Sequence, residues 1–235
     1  MASSANGRLN LVFDADDTLW DSNVHFQEAF NEFVAAFDAA GLAHPRETIQ
    51  ESVRRAELEL IRIDGYGRRP YVLALHRALR DLAPVELRDE LRAAVRQIGE
   101  TLIARDCTLL PDVEATLTEL ATRHQLLLFT KGQRDEQLLK LERAGLAPLF
   151  SRVETPREKN VASYRRLVDD ARLAPESTFM IGNSPRSDVN PAVRAGLRAV
   201  YIPHLHTWEL EHEEIDHGDE RIIHLTGFRR LLELF

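Results

Sequence analysis

The sequence predicts an α/β protein: an open parallel sheet flanked by helices, a Rossmann-like core, with an all-helical cap domain inserted after the first strand. Three observations predict it. Short apolar runs ending in polar turn residues recur through the C-terminal half, and helical patterns separate them. Residues 24–103 carry four successive helical stripes with no strand between them.

The first run, residues 9–13, is apolar without alternation, the pattern of a strand buried on both faces of a parallel sheet. Runs at 126–129, 150–153, 178–181, 199–202 and 222–224 read the same way. Between them, 111–124, 133–144, 160–171 and 189–195 carry helical periodicity, and Gly145 and Gly196 stand where a left-handed residue stops a helix. In the insert, Phe26, Phe30, Phe33 and Phe37 fall on one helical face, and Ile49, Val53, Ala56 and Leu60 on the next. Val72, Leu75 and Leu79 mark a third helix, and Leu91, Ile98 and Leu102 a fourth. The expected division is a core of residues 1–20 and 108–235 and a cap of residues 21–107, with hinges at 20–23 and 106–111.

Composition narrows the function. The chain has 235 residues, 44% hydrophobic and 29% charged, the balance of a soluble globular protein. A formal net charge of -8 argues against a nucleic-acid partner. An anionic substrate stays open, because a local cation or a metal can oppose the global sign. The single cysteine, Cys107, cannot form an internal disulfide, which fits the cytoplasm. Residues 1–10 offer no apolar core for a signal peptide, and no run is long enough to span a membrane. Whether the chain is a monomer or a homodimer is undecided at this level.

In open α/β sheets, ligands gather beyond the carboxyl ends of the strands. There the first run meets Asp14-Ala15-Asp16-Asp17. Three carboxylates so close repel one another unless a cation relieves them. Extended backbone puts Asp14 and Asp16 on one face and Asp17 on the other. Taken alone, the cluster reads first as a solvated turn, and the rest of the chain changes that reading. The second run ends in Thr130-Lys131-Gly132, a phosphate cradle or ordinary turn chemistry. The fourth runs into Gly182-Asn183-Ser184-Pro185-Arg186-Ser187-Asp188, where Asp188 completes an oxygen-rich metal shell with Asp14 or caps the next helix. Magnesium suits such a shell better than zinc, since these loops hold no Cys or His. Lys159 stands at a helix entrance, where the dipole disfavours a cation.

These four segments, in this order and each following a strand, resemble the four motifs of the haloacid dehalogenase superfamily, specifically its phosphatase branch with a helical cap between the first two motifs. The resemblance implies a magnesium-dependent phosphohydrolase that acts on small phosphate monoesters through an aspartyl-phosphate. It makes Asp14 the nucleophile and a metal ligand. Asp16 becomes the acid that protonates the leaving oxygen, then the base that activates water, and its backbone carbonyl a metal ligand. Thr130 and Lys159 bind the phosphoryl oxygens, Asp188 anchors magnesium, and Asn183 assists through a water. Two departures stand out: Asn183 replaces the family's usual aspartate, and Lys131 replaces a frequent asparagine, where it adds a phosphate-binding cation or points to solvent. A dehalogenase has no use for an acid at Asp16. A phosphomutase on the same core and an inactive binding module are the remaining rivals.

Two further regions carry expectations. In residues 63–70, Tyr66 and Arg68 reach a substrate's leaving group or belong to an interhelical turn. His204, His206, His212, His217 and His224, set among glutamates, read as a solvated acidic surface, with Trp208 packing it onto the core. Sugar phosphates, nucleoside monophosphates and phosphoglycolate-like acids all fit as substrates.

Overall fold

The computed structural model describes residues 7–235. Strand β1 (Asn10–Phe13) is followed by four helices, α1 (Asn23–Ala39), α2 (Arg46–Asp64), α3 (Arg68–Leu82) and α4 (Arg88–Ala104). Then come α5 (Val113–Ala121), β2 (Gln125–Phe129), α6 (Arg134–Arg143), β3 (Arg152–Glu154) and α7 (Val161–Ala171). The chain continues through β4 (Thr178–Gly182), α8 (Asn190–Arg194), β5 (Arg198–Tyr201), β6 (Ile222–His224) and α9 (Leu231–Leu234).

The six strands form one sheet in the order β3-β2-β1-β4-β5-β6, every pairing parallel. Leu11 and Phe13 pack with Leu117, Leu128 and Ile181 on one face, while Val12 packs with Leu127, Leu167 and Met180 on the other. Burial on both faces explains the unbroken apolar run, since successive side chains point to opposite sides. The chain leaves β1 for β2 and β3 on one side and returns to β4 on the other. The carboxyl end of β1 therefore faces the crevice where the strand order reverses, the usual ligand position in such sheets.

Two compact units divide the chain: residues up to Asn23 with Cys107–Phe235, and Val24–Asp106. The second has its own apolar core, in which Phe33, Phe37, Ile49, Leu75 and Leu91 are wholly or almost wholly buried. Among the described residues no helix is long and apolar enough to cross a membrane.

The structure differs from the sequence expectations at several edges. The third strand begins at Arg152, because Phe150 packs edge-on against Phe13 at 6.1 Å in the core instead of joining the sheet. Asp112, at a left-handed φ of 64°, delays α5 to Val113. The helix expected from 189 is preceded by a π-turn, Pro185–Val189. The interhelical segment 63–70 shrinks to residues 65–67, where Gly65 (φ 79°) and Gly67 (φ 146°) turn the chain. Arg68 does not reach outward as expected. It opens α3, is buried, and donates to the carbonyls of Ile103 (3.3 Å) and Arg105 (2.6 Å). Carbonyls at a helix C-terminus lack internal partners, so a guanidinium is held there by unsatisfied acceptors and the dipole. Tyr66 is half-buried in the short turn.

Candidate active site

The last sheet bond of β1 runs from the Asp14 amide to the Ile181 carbonyl (2.9 Å), which fixes Asp14 at the strand terminus. The chain then turns sharply: the amides of Thr18 and Leu19 both donate to the Ala15 carbonyl, and Asp17 adopts φ 59°. This turn sends the three acidic side chains to three different sets of partners.

Asp14 meets Lys159 and Asp188. The Lys159 ammonium donates to Asp14 Oδ1 and, at 2.7 Å, to Asp188 Oδ1. Both Lys159 and Asp188 side chains are 1% exposed. A capping box begins α7: Asn160 accepts from the Ser163 amide (3.0 Å) and Ser163 Oγ from the Asn160 amide (2.9 Å). Lys159 thus stands just before the cap, outside the helix, and the two carboxylates oppose the unfavourable dipole there. Asp188 is not a helix cap. Ser184 Oγ accepts from the Ser187 amide (2.9 Å) in that role, while Asp188 Oδ2 accepts from the Ser184 amide (2.9 Å). Gly182 makes the arrangement possible, since a Cβ there would lie 2.2 Å from Asp188 Oδ2.

Two buried carboxylates share one ammonium here. Burial, with Asp188 nearby, pushes Asp14 up to about 7 against the pull of Lys159. Burial likewise raises Asp188. Lys159 is raised too, because Asp14 and Asp188 outweigh the burial that opposes its charge. The site is short of positive charge. Its donors are carboxylate and amide oxygens, the set a hard divalent cation such as magnesium prefers. Asp14, Asp188 and Asn183 are the residues that fit such an ion.

Asn183 is oriented by a relay. Thr207 Oγ1 donates to the His204 carbonyl (3.0 Å) and so accepts from Asn183 Nδ2 (2.8 Å). That leaves Asn183 Oδ1 facing Thr18 Oγ1 (3.1 Å), which also lies 3.2 Å from Asp14 Oδ2. The Thr18 hydroxyl has one proton, so it serves one of these acceptors at a time.

Asp16 turns to helix α6. Lys140 Nζ (2.9 Å) and Trp20 Nε1 (2.8 Å) donate to Oδ1, and Gln137 Nε2 (2.8 Å) donates to Oδ2. Burial alone would raise this carboxyl, but Lys140 outweighs it with help from Trp20 and Gln137, and the net value falls to about 2. Asp17 accepts from the amides of Ser22 (2.8 Å) and Asn23 (3.0 Å), and lies beside His204, whose other nitrogen is 3.4 Å from Asp21. Among the described residues, Asp17, Asp21 and His204 form a cluster with metal-ligand spacing. Asp17's oxygens are already engaged by those amides.

At the end of β2, Thr130 is buried and its hydroxyl donates to the Lys131 carbonyl (3.3 Å). Lys131 pairs with Glu211, which also accepts from Ser184 Oγ. The acidic surface expected at the C-terminal segment is therefore only half right. His212, His217 and His224 are exposed, but Thr207 is buried and Glu211 is 13% exposed at its side chain, held against the loops after β2 and β4.

A family model for haloacid dehalogenase-like hydrolases matches residues 10–196. The chain belongs to this family. A phosphoserine phosphatase from Thermus thermophilus is 36% identical over 115 residues, which span 46% of this chain and 46% of that protein, less than half its length. A glyceraldehyde 3-phosphate phosphatase from Methanopyrus kandleri is 29% identical over 82% of each chain. A haloacid dehalogenase-like family hydrolase from Xanthomonas campestris has a solved structure with a TM-score of 0.79 and 26% identity, covering 97% of this chain and 95% of that one.

In this haloacid dehalogenase-like hydrolase, the matched span contains Asp14, Asp16, Thr130, Lys159 and Asp188. Thr207 and Glu211 lie beyond it. Sequence reasoning missed Trp20, Gln137, Lys140, Thr207 and Glu211 as partners of the site. The spacing of Gln137 and Lys140 puts both on one helical face, but nothing in the sequence tells that face from one turned to solvent.

Proposed function

We propose that this chain is a magnesium-dependent phosphohydrolase that acts on small phosphorylated metabolites, with Asp14 as the nucleophile. One observation carries the reading: Asp14, Lys159 and Asp188, from the segments that follow three separate strands, meet through a single buried ammonium. The two curated phosphatases supply the reaction class. Both act on small phosphate esters by name, which favours a metabolite over a phosphoprotein. Bound magnesium would supply charge neutralisation at the phosphoryl oxygens.

The chain's own residues do the rest. Asp14 attacks phosphorus in line with the departing oxygen and becomes an acyl phosphate. Lys159 and Thr130 hold the phosphoryl oxygens, and a rearranged Lys131 adds a further cation. Asp16, a carboxylate in the free enzyme, takes up a proton beside the bound phosphate dianion and gives it to the leaving oxygen, then takes one from the water that releases phosphate. The phosphate dianion would offer Lys159 a new partner as Asp14 turns to attack.

Phosphate release from p-nitrophenyl phosphate with and without magnesium tests this. The expected result is release that depends on the ion and disappears in Asp14→Asn. Release indifferent to magnesium, or undiminished in that variant, would defeat the reading. A screen of phosphorylated metabolites, small acids and sugar phosphates included, then identifies the substrate.

A further inference from the structure

We infer that Lys140 is the positioning residue for Asp16, gripping the proton-transfer carboxylate from helix α6 together with Gln137 and Trp20. The inference rests on the phosphohydrolase reading above and extends it to a residue outside the four motifs.

Lys140 and Gln137 lie three residues apart on α6, hence on one face, and are 6% and 2% exposed. A lysine is rarely buried without a partner, since desolvating its ammonium is costly. Its Nζ lies 2.9 Å from Asp16 Oδ1 and 3.6 Å from Glu136 Oε1. Asp16, by contrast, keeps 31% of its side chain exposed, so the pair has one hidden and one accessible member. That asymmetry suits a carboxylate that must meet a substrate, with its anchor behind it.

The loop after β2 is shaped for the same contact. Gly132 has φ 121°, and a Cβ there would lie 2.8 Å from Gln137 Nε2. Without that atom, Gln137 Nε2 reaches both the Lys131 carbonyl (3.1 Å) and Asp16 Oδ2 (2.8 Å). Trp20, wholly buried, closes the third side through its indole N–H. With both oxygens held from three directions, the Asp16 carboxylate is confined to one orientation. Proton transfer depends on such placement, because a donor displaced by an ångström loses much of its effect.

The test separates the two half-reactions on one ester. Nitrophenolate leaves without a proton, so on p-nitrophenyl phosphate the Asp16 carboxylate is needed only afterwards, as the base for the attacking water. The value of kcat/KM reports the first half-reaction, and kcat with the burst of nitrophenolate reports the second. Wild type, Lys140→Met, Lys140→Arg and Gln137→Met are compared with magnesium. In Lys140→Met, kcat should fall roughly tenfold while kcat/KM stays within about twofold, with a burst of nitrophenolate as phospho-enzyme accumulates. Lys140→Arg should recover part of kcat, and Gln137→Met should show a smaller fall of the same kind. Equal falls in kcat and kcat/KM, or no fall, would overturn the inference, and Gln137→Met decides it if Lys140→Met does not fold. Wild-type protein inert on p-nitrophenyl and alkyl esters alike would instead overturn the phosphohydrolase reading, and this inference with it.

Discussion

Asp14 and Asp16 stand two residues apart on one turn, yet their surroundings differ in kind. Asp14 shares the Lys159 ammonium with a second buried carboxylate, and burial holds it up at about 7. Asp16 has Lys140 beside it and two neutral donors besides, and falls to about 2. One pocket is short of positive charge; the other is amply supplied with donors. The difference teaches that acidity here is set by the neighbours each carboxylate meets, a second carboxylate beside Asp14 and two extra donors on Asp16, not by residue type or depth alone. It also divides the labour: the under-neutralised pocket favours an incoming cation, and the saturated one holds a carboxylate in place.

The contrast can be broken most drastically at Asp14. Asp14→Asn removes the attacking oxygen and should lower phosphate release by about 10³-fold or more, read with p-nitrophenyl phosphate and magnesium. Lys159→Met strips the shared ammonium from two buried carboxylates. Breaking a buried pair in this way costs about 3–5 kcal/mol, visible as a lower denaturation midpoint at pH 7. Magnesium should restore part of that loss if the ion takes the place of the ammonium. Asn183→Asp sharpens the contrast by adding a charge to the poor pocket. Calorimetry should then show magnesium affinity tightened by roughly tenfold, and unchanged affinity would place Asn183 outside the ion's reach.

The smallest expected effect concerns Asp16 and acid. Its folded value of about 2 lies below the ordinary 3.8, so its stabilising contribution is present above 3.8 and is lost as pH falls through about 2. Asp16→Asn should therefore be less stable than wild type at pH 6, with the gap narrowing towards pH 2 in denaturant titrations. A gap that stayed constant across this range would mean that Lys140 does not depress Asp16.

Much of the core was legible because its signals are local. Val12 and its neighbours announce a doubly buried strand by lacking alternation, and Gly145, at φ 72°, stops its helix as expected. Phe150 misled because an aromatic core residue beside a strand looks like a strand residue. Asp188 was ambiguous because a carboxylate before a helix is chemically a good cap. Ser184 takes that role through a π-turn, which periodicity does not reveal. Lys140 was invisible for a different reason: on an amphipathic helix, a lysine directed at a strand end has the same sequence context as one directed at solvent.

By itself, the sequence determined the parallel sheet, the helical insert, and the order in which a carboxylate, a hydroxyl, an ammonium and a second carboxylate follow successive strands. Backbone propensity and burial pattern act over a few residues, so they can be read along the chain. Only the tertiary structure decided which acid shares which cation, that Glu211 closes on Lys131, and that Arg68 turns inward to carbonyls. Those pairings are set by Coulomb and hydrogen-bond terms that depend on distance through space. Sheet order and helix phase fix that distance between residues as far apart in the chain as Asp16 and Lys140.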